Sequence, residues 1–179
     1  MTTTRNFAEI LLSELDHIAQ PRTLAKGEFL IREGEVEKNL YYIESGAVRV
    51  IHLTELEEQT IRLGYEGSFI NSLSSYIKQT PSEFFIEAIR KTEVKVIPKE
   101  QVTRLVHESP ENLVAYNQLM EILVTQQIER EIDLLTESPT ERLKRVLDRS
   151  PNVFQHVPLK YIASYLRMTP ETLSRIRNS

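Results

Sequence analysis

The side chains in this sequence best suited to chemistry stand in its last stretch, YIASYLRMTPETLSRIRNS, residues 161–179. Thr169 is a good N-cap and Pro170 a good first helical residue, so a short helix is expected to begin there. That helix carries Glu171, Thr172, Ser174, Arg175 and Arg177, with Lys160 just upstream. An exposed helix start and several cations suit the binding of a polyanion. Reaction chemistry lacks its materials. There is no cysteine, which excludes disulfides, thiolate zinc sites and Cys-ligated clusters and fits a reducing cytoplasm. His17, His52, His107 and His156 are scattered, and no pair has metal-ligand spacing. Neither a Ser/His/Asp set nor a Gly-rich phosphate loop is present, and a cupin-type enzyme would need more than the lone His52 in the β-rich region. No enzyme activity, metal or resident cofactor is expected.

The elements that would hold this helix can be read backwards along the chain. A helix-turn-helix needs a small residue in its first helix, a short turn, and apolar residues in its second helix that point back at the core. Ala163 is the small residue, and Met168 is expected to be buried before the turn ends. Leu173 and Ile176 point inward, leaving Thr172, Ser174 and Arg175 outward or at the flank. Upstream, Ser138, Pro139 and Glu141 form a capping box that opens another helix with a Leu143, Val146, Leu147 stripe. SPNVFQHVP reads as a connector between Pro151 and Pro158. Residues 139–179 carry 8 Lys+Arg against 3 Asp+Glu in a chain of net charge −4, a cationic unit on an acidic body.

Two further segments precede it. All five glycines lie between residues 27 and 67, among short β-branched and aromatic runs such as NLYYIESG, AVRVIHL, TIRLG, EFFIEAIR and EVKVIP. Frequent turns between short strands predict a sandwich or barrel. The N-terminal MTTTRNFAEILLSELDHIAQ reads as an amphipathic helix, and no apolar run approaches the ~20 residues of a membrane span. After Ser109 as N-cap and Pro110, ENLVAYNQLMEILVTQQIEREIDLL predicts one long helix. Leu113, Tyr116, Met120, Leu123, Gln127 and Leu134 fall on one side. Leu119, Ile122, Ile128, Ile132 and Leu135 widen the apolar surface beyond one stripe, which favours a twin helix across a two-fold axis. The expected division is 1–109, 110–137 and 138–179.

PLKYIASYLRMTPETLSRIR resembles the helix-turn-helix of the cyclic-AMP receptor / fumarate–nitrate regulator (CRP/FNR) family, and GEFLIREGEVEKNLYYIESGAVRV resembles the first half of that family's β-roll. PSEFFIEAI and SYLRMTPETLSRIR are especially similar to its Bacteroidetes branch. The resemblance implies an α+β fold: an N-terminal cyclic-nucleotide-binding-type β-roll (jelly roll), a long dimerisation helix and a small C-terminal helix-turn-helix domain. It implies a homodimeric, cytoplasmic bacterial transcription regulator whose partner is double-stranded DNA. By resemblance Glu171 and Arg175 read base edges, and Lys160, Thr169, Ser174 and Arg177 contact phosphates. Pro170 stands where relatives often have another arginine, and Arg167 where they usually have a turn glycine. If that turn residue needs φ > 0, arginine costs on the order of 1 kcal/mol there. The sequence ends four residues after Arg175, where many relatives continue into a β-hairpin wing.

The resemblance also marks an effector cassette in GSFINSLSSYIKQTPSEFFIEAI, with Asn71, Ser72, Leu73, Ser82 and Glu83 as its pocket residues. Ser72 falls where the family's ribose-binding glutamate stands, and Ser82 and Glu83 where its phosphate-binding Arg-Ser/Thr pair stands. Loss of that arginine costs about 2–5 kcal/mol, at least roughly thirtyfold in affinity, and Glu83 adds repulsion. Cyclic AMP is therefore expected not to bind in the usual mode. The pocket is left to an unknown small-molecule effector anchored by Glu83, or to filling by Phe69, Tyr76 or Phe84. The alternative to a DNA-binding regulator is a ligand-binding or protein-interaction module with a vestigial helix-turn-helix.

Overall fold

The computed structural model describes residues 7–178. Its first part is a β-roll of two facing four-stranded antiparallel sheets. One contains β1 (Gln20–Leu24), β8 (Thr92–Pro98), β3 (Asn39–Ser45) and β6 (Phe69–Ile70), in that order. The other runs β2 (Phe29–Ile31), β7 (Phe85–Ala88), β4 (Ala47–Leu53) and β5 (Glu58–Tyr65). Period-2 alternation sends Leu24, Tyr41, Ile43, Val48, Val50 and Ile86 into the space between the sheets. Gly46 permits the tight β3–β4 turn at φ +89°. A Cβ there would lie 2.4 Å from the Lys91 carbonyl oxygen, so no other residue fits.

A second packing centre joins α1 (Phe7–Leu15) to α3 (Lys99–Glu108) and the start of α4 (Pro110–Leu135). Phe7, Ile10, Leu11 and Leu15 all turn inward, as the amphipathic N-terminal pattern predicted. Ser109 caps α4 by accepting from the Asn112 N–H at 3.1 Å. At 26 residues, α4 is about 39 Å long. Its packed side is built on Ala115, Tyr116 and Leu119, and further along on Arg130 and Asp133. Leu113 and Leu134, expected on the same side as Tyr116, are exposed instead.

The third part comprises α5 (Pro139–Arg149), α6 (Val153–His156), α7 (Leu159–Tyr165) and α8 (Pro170–Arg177). The stretch expected as a bare connector thus holds the single-turn helix α6, which inserts Val153 into the core. The Ser138 side of the capping box is formed, with the Glu141 N–H donating to its hydroxyl at 3.3 Å. Leu143, Val146, Ile162, Leu166 and Leu173 are buried together, and Ala47 and Ile89 of the β-roll belong to the same cluster. The small unit therefore shares its core with the outer face of the second sheet.

Helix α7 lies along β5, the edge strand of that sheet. The Thr60 N–H donates to the Ser164 hydroxyl at 3.1 Å, so the helix satisfies backbone that an uncovered edge would leave to water. Arg49, paired with Glu58 at 2.7 Å and Glu87 at 2.6 Å, places its guanidinium 4.6 Å from the Tyr161 ring centre. Tyr65 stacks on His156 with ring centres 4.8 Å apart.

The end of α4 is joined to the third part by charge. Asp133 is fully buried and accepts from Arg145, at 2.8 Å, and from Arg149. Glu129 also pairs with Arg145, at 2.5 Å. Arg130 donates to the Tyr165 carbonyl, and Arg142 donates to the Leu166 carbonyl at 2.6 Å and to the Thr136 carbonyl at 2.7 Å. Two arginines thus cap the C-terminal end of α7, where carbonyls lack helical partners and cations are favoured.

Candidate nucleic-acid interface

Thr169 starts α8 as the sequence predicts, its side chain accepting from the Thr172 N–H at 3.2 Å. Its hydroxyl lies 3.1 Å from that of Thr172, so Thr169 serves the helix cap itself. Leu173 is fully buried, Ile176 is half-buried, and Ala163 is fully buried at the crossing of α7 and α8. Met168 is half-buried, less than expected, and packs against the edge of the cluster. With this face turned in, Pro170, Glu171, Arg175 and Arg177 are exposed and Ser174 is half-buried.

Two open grooves flank α8. One runs from Leu159 past Pro170, Glu171, Ser174 and Arg175. The other lies between Pro139 and Thr140, at the start of α5, and Thr172, Arg175 and Ile176. Arg175 is common to both and forms the ridge between them. The second groove brings the start of α5 beside α8, which sequence reading missed. The Ser138–Pro139 cap was legible, but nothing local shows which other helix it faces. Of the remaining candidates, the Lys160 amine sits over the Tyr161 ring at 4.6 Å, and the Arg177 guanidinium lies 5.4 Å from the Phe154 ring.

The turn before α8 places Arg167 at φ +54°, the left-handed conformation that makes arginine unfavourable there. Its guanidinium donates to the Gln59 side-chain oxygen at 2.8 Å, tying the turn to β5.

The expected effector cassette closes on itself. It folds as β6, then α2 (Leu73–Lys78), then a turn into β7. Asn71, Ser72 and Ser82 are buried, Leu73 is half-buried, and the two serine hydroxyls lie 2.8 Å apart. Glu83 is exposed, and among the described residues its carbonyl lies 3.5 Å from the His52 Nδ1. The buried carboxylate is Glu37, which sequence reading missed. Glu37 accepts from the Asn39 N–H at 3.0 Å, the Tyr41 hydroxyl at 3.1 Å and the Ser72 N–H at 3.4 Å. Tyr76 is buried, Phe84 packs on the β-roll core and Phe69 on the helical centre.

Burial raises the Glu37 pKa above its ordinary 4.5, and hydrogen bonds from Asn39, Ser72 and Tyr41 pull it partly back. The folded protein therefore binds this proton more tightly than the unfolded chain. The associated stability is full below pH 4.5 and is lost as pH rises through the folded-state pKa. Glu37→Gln should remove that component. The melting temperature of the wild type relative to the variant is expected to fall as pH rises across that window. A constant difference in paired pH-dependent melts would contradict this.

The geometry defines a β-roll joined through a long helix to a helix-turn-helix. Residues 21–109 match the family model of the cyclic nucleotide-binding domain. Comparison with curated proteins found no match. Among solved structures, FixK2 from Bradyrhizobium japonicum is similar at TM-score 0.74 and 18% identity, over 89% of this chain and 83% of that one. A CooA mutant from Carboxydothermus hydrogenoformans is similar at TM-score 0.70 and 20% identity, over 98% of this chain and 84% of the other. The c-di-GMP-responsive global regulator CLP from Xanthomonas campestris is similar at TM-score 0.65 and 18% identity, over 96% and 90%. At such identities the likeness is one of fold, an α+β architecture in which a cyclic nucleotide-binding-type β-roll is followed by a long helix and smaller helices. Among the described residues no helix is long and apolar enough to cross a membrane.

Proposed function

We propose that this chain is a sequence-specific DNA-binding transcription regulator of CRP/FNR type that acts as a homodimer, has no enzyme activity and is not controlled by cyclic AMP. The observation that carries the reading is α8 itself. Its apolar face is buried through Leu173, and Glu171 and Arg175 face outward beside a capped helix start. A helix of this kind suits the major groove, where arginine pairs bidentately with guanine and glutamate accepts from cytosine. In this reading Lys160, Ser174, Arg177 and Thr140 meet phosphates, which position the protein without reading sequence.

Two features support the remaining parts. Val124, Ile128 and Leu135, spaced four and seven residues apart, are 59%, 51% and 80% exposed on α4. A second α4 would cover them as a two-helix seam. The cassette offers Ser72 and Ser82 to each other, beside the buried carboxylate of Glu37, where an anionic cyclic phosphate would need a cation.

The test is selection of bound sites from random duplex DNA, followed by gel shift with and without cyclic AMP. The wild type should select a near-palindrome with half-sites about one helical turn apart, and cyclic AMP should leave its affinity unchanged. Arg175→Ala should lose about 1–3 kcal/mol of discrimination at one base pair in each half-site. Failure to select any sequence would reject the reading. An unchanged preference in Arg175→Ala would remove this arginine from the reading set.

A further inference from the structure

Arg167 stands two residues before Thr169, the cap of α8, and holds φ +54°. Among the described residues only Gln79 shares a positive φ without being glycine. A left-handed arginine costs folding free energy that glycine in the same place would not. Such a conformation persists where its surroundings hold it, and strain of this kind gathers at functional sites. What Arg167 gains in return is one exposed hydrogen bond, from its guanidinium to the Gln59 side-chain oxygen at 2.8 Å. A bond of that kind contributes about as much as the strain removes, so stability alone gives no reason for arginine here.

The acceptor is held in readiness. The Gln59 side-chain nitrogen donates to the Glu57 carboxylate at 3.0 Å, which leaves the oxygen for the arginine. The next residue of β5, Thr60, donates its N–H at 3.1 Å to Ser164, three residues before Arg167. Two neighbouring positions of one strand thus grip α7 and the turn that follows it. From the other side Arg142 of α5 donates to the Leu166 carbonyl at 2.6 Å, so the turn is held between α5 and β5. Much of the remaining boundary with the β-roll consists of apolar and ring contacts from Ala47, Leu63, Tyr65 and Ile89. Apolar contact has no direction and tolerates sliding, whereas a hydrogen bond fixes two atoms at a set distance and angle. The bonds to Gln59 and Thr60 therefore set where the helix-turn-helix sits along β5.

We propose that Arg167 and Gln59 form a latch that positions α8 relative to the β-roll, with Arg167 a positioning residue for DNA recognition. The proposal rests on the DNA-binding reading above. In a dimer joined through α4, the station of each helix-turn-helix on its own β-roll sets the separation of the two α8 helices. That separation selects the half-site spacing the protein accepts. Glycine would ease the turn and lose the link, which is the exchange the arginine prevents.

The chain has no cysteine, so a spin-label pair can be introduced through Lys91→Cys on the β-roll and Asp148→Cys on α5, both exposed positions. With the labelled chain diluted in unlabelled chain, pulsed electron spin resonance reads the distance between the two parts. The parent should give one narrow distribution. Arg167→Gly and Gln59→Ala should each broaden or shift it, and Arg167→Lys, which keeps a donor, should restore it in part. Arg167→Gly should melt no more than about 2 °C below the wild type, because strain leaves with the bond. Gln59→Ala keeps the strain without the bond and should melt below Arg167→Gly. On operators whose half-sites are moved together or apart by one base pair, the wild type should lose several-fold more affinity than Arg167→Gly. Unchanged distances in both variants overturn the proposal. So does a broadened distance with an unchanged spacing preference, because the latch would then serve the fold and not recognition. If the wild type selects no duplex, the DNA-binding reading falls, and the distances alone decide whether the latch exists.

Discussion

Ile128→Glu should yield a folded monomer that no longer retards the selected operator. Ile128 is 51% exposed in the single chain, so a charge there should change the stability of one protomer by no more than about 0.5 kcal/mol. Across a two-fold axis the same change places two carboxylates in the apolar seam, where neither finds a cation. Affinity for a two-half-site operator rests on both helix-turn-helix units being held together. Separating them should weaken binding by roughly 10²–10⁴-fold, the usual gain from joining two sites. Light scattering with size exclusion reads the mass, circular dichroism the fold, and gel shift the affinity. A variant that stays dimeric would place the seam elsewhere. A monomer that binds the full operator as tightly as the wild type would separate DNA binding from dimerisation altogether.

Asp133→Ala should be the most damaging single substitution between α4 and the helix-turn-helix. Its carboxylate is fully buried and holds both Arg145 and Arg149. Breaking a buried pair by removing one partner costs about 3–5 kcal/mol. Here the loss belongs at the lower end, about 3 kcal/mol, because the two arginines are 29% and 31% exposed and can turn to water. For a chain of this size that corresponds to a fall in melting temperature of roughly 6–12 °C. Asp133→Asn keeps the shape and one acceptor oxygen and should lose less. Equal melting of wild type and Asp133→Ala would show that the arginines, rather than the carboxylate, determine how the two parts meet.

Much of the architecture was legible because it is written locally. Ser109, Ser138 and Thr169 each precede a proline and open a helix, and all three side chains accept the hydrogen bond their positions predicted. The alternation of Val48 and Val50 with Arg49 sends the valines to the β-roll core and the arginine to the opposite face. What stayed hidden joins residues far apart in the chain. Thr60 meets Ser164 across 104 positions and Arg167 meets Gln59 across 108, and no periodicity encodes such a pair. Glu37 was invisible for a related reason. A glutamate in a polar run reads as solvated until the fold closes Tyr41 and Ser72 around it. Glu83 is exposed, and alignment to a cassette gives a position and not the way a side chain turns. The long helix was read correctly as a helix and only partly as a surface. Its packed side depends on which neighbours arrive, and two of the three groups buried there, Arg130 and Asp133, are charged.

The cover that α7 gives β5 has a consequence for biosynthesis. Strand β5 emerges about a hundred residues before the helix that completes it. During that interval the nascent roll presents an unsatisfied strand margin beside Ala47, Leu63, Tyr65 and Ile89, the residues that later join the terminal cluster. Such a margin invites pairing with another growing chain. Ribosome-bound intermediates halted before residue 159 should therefore be the adhesive ones, and emergence of α7 and α8 the step that makes the molecule safe.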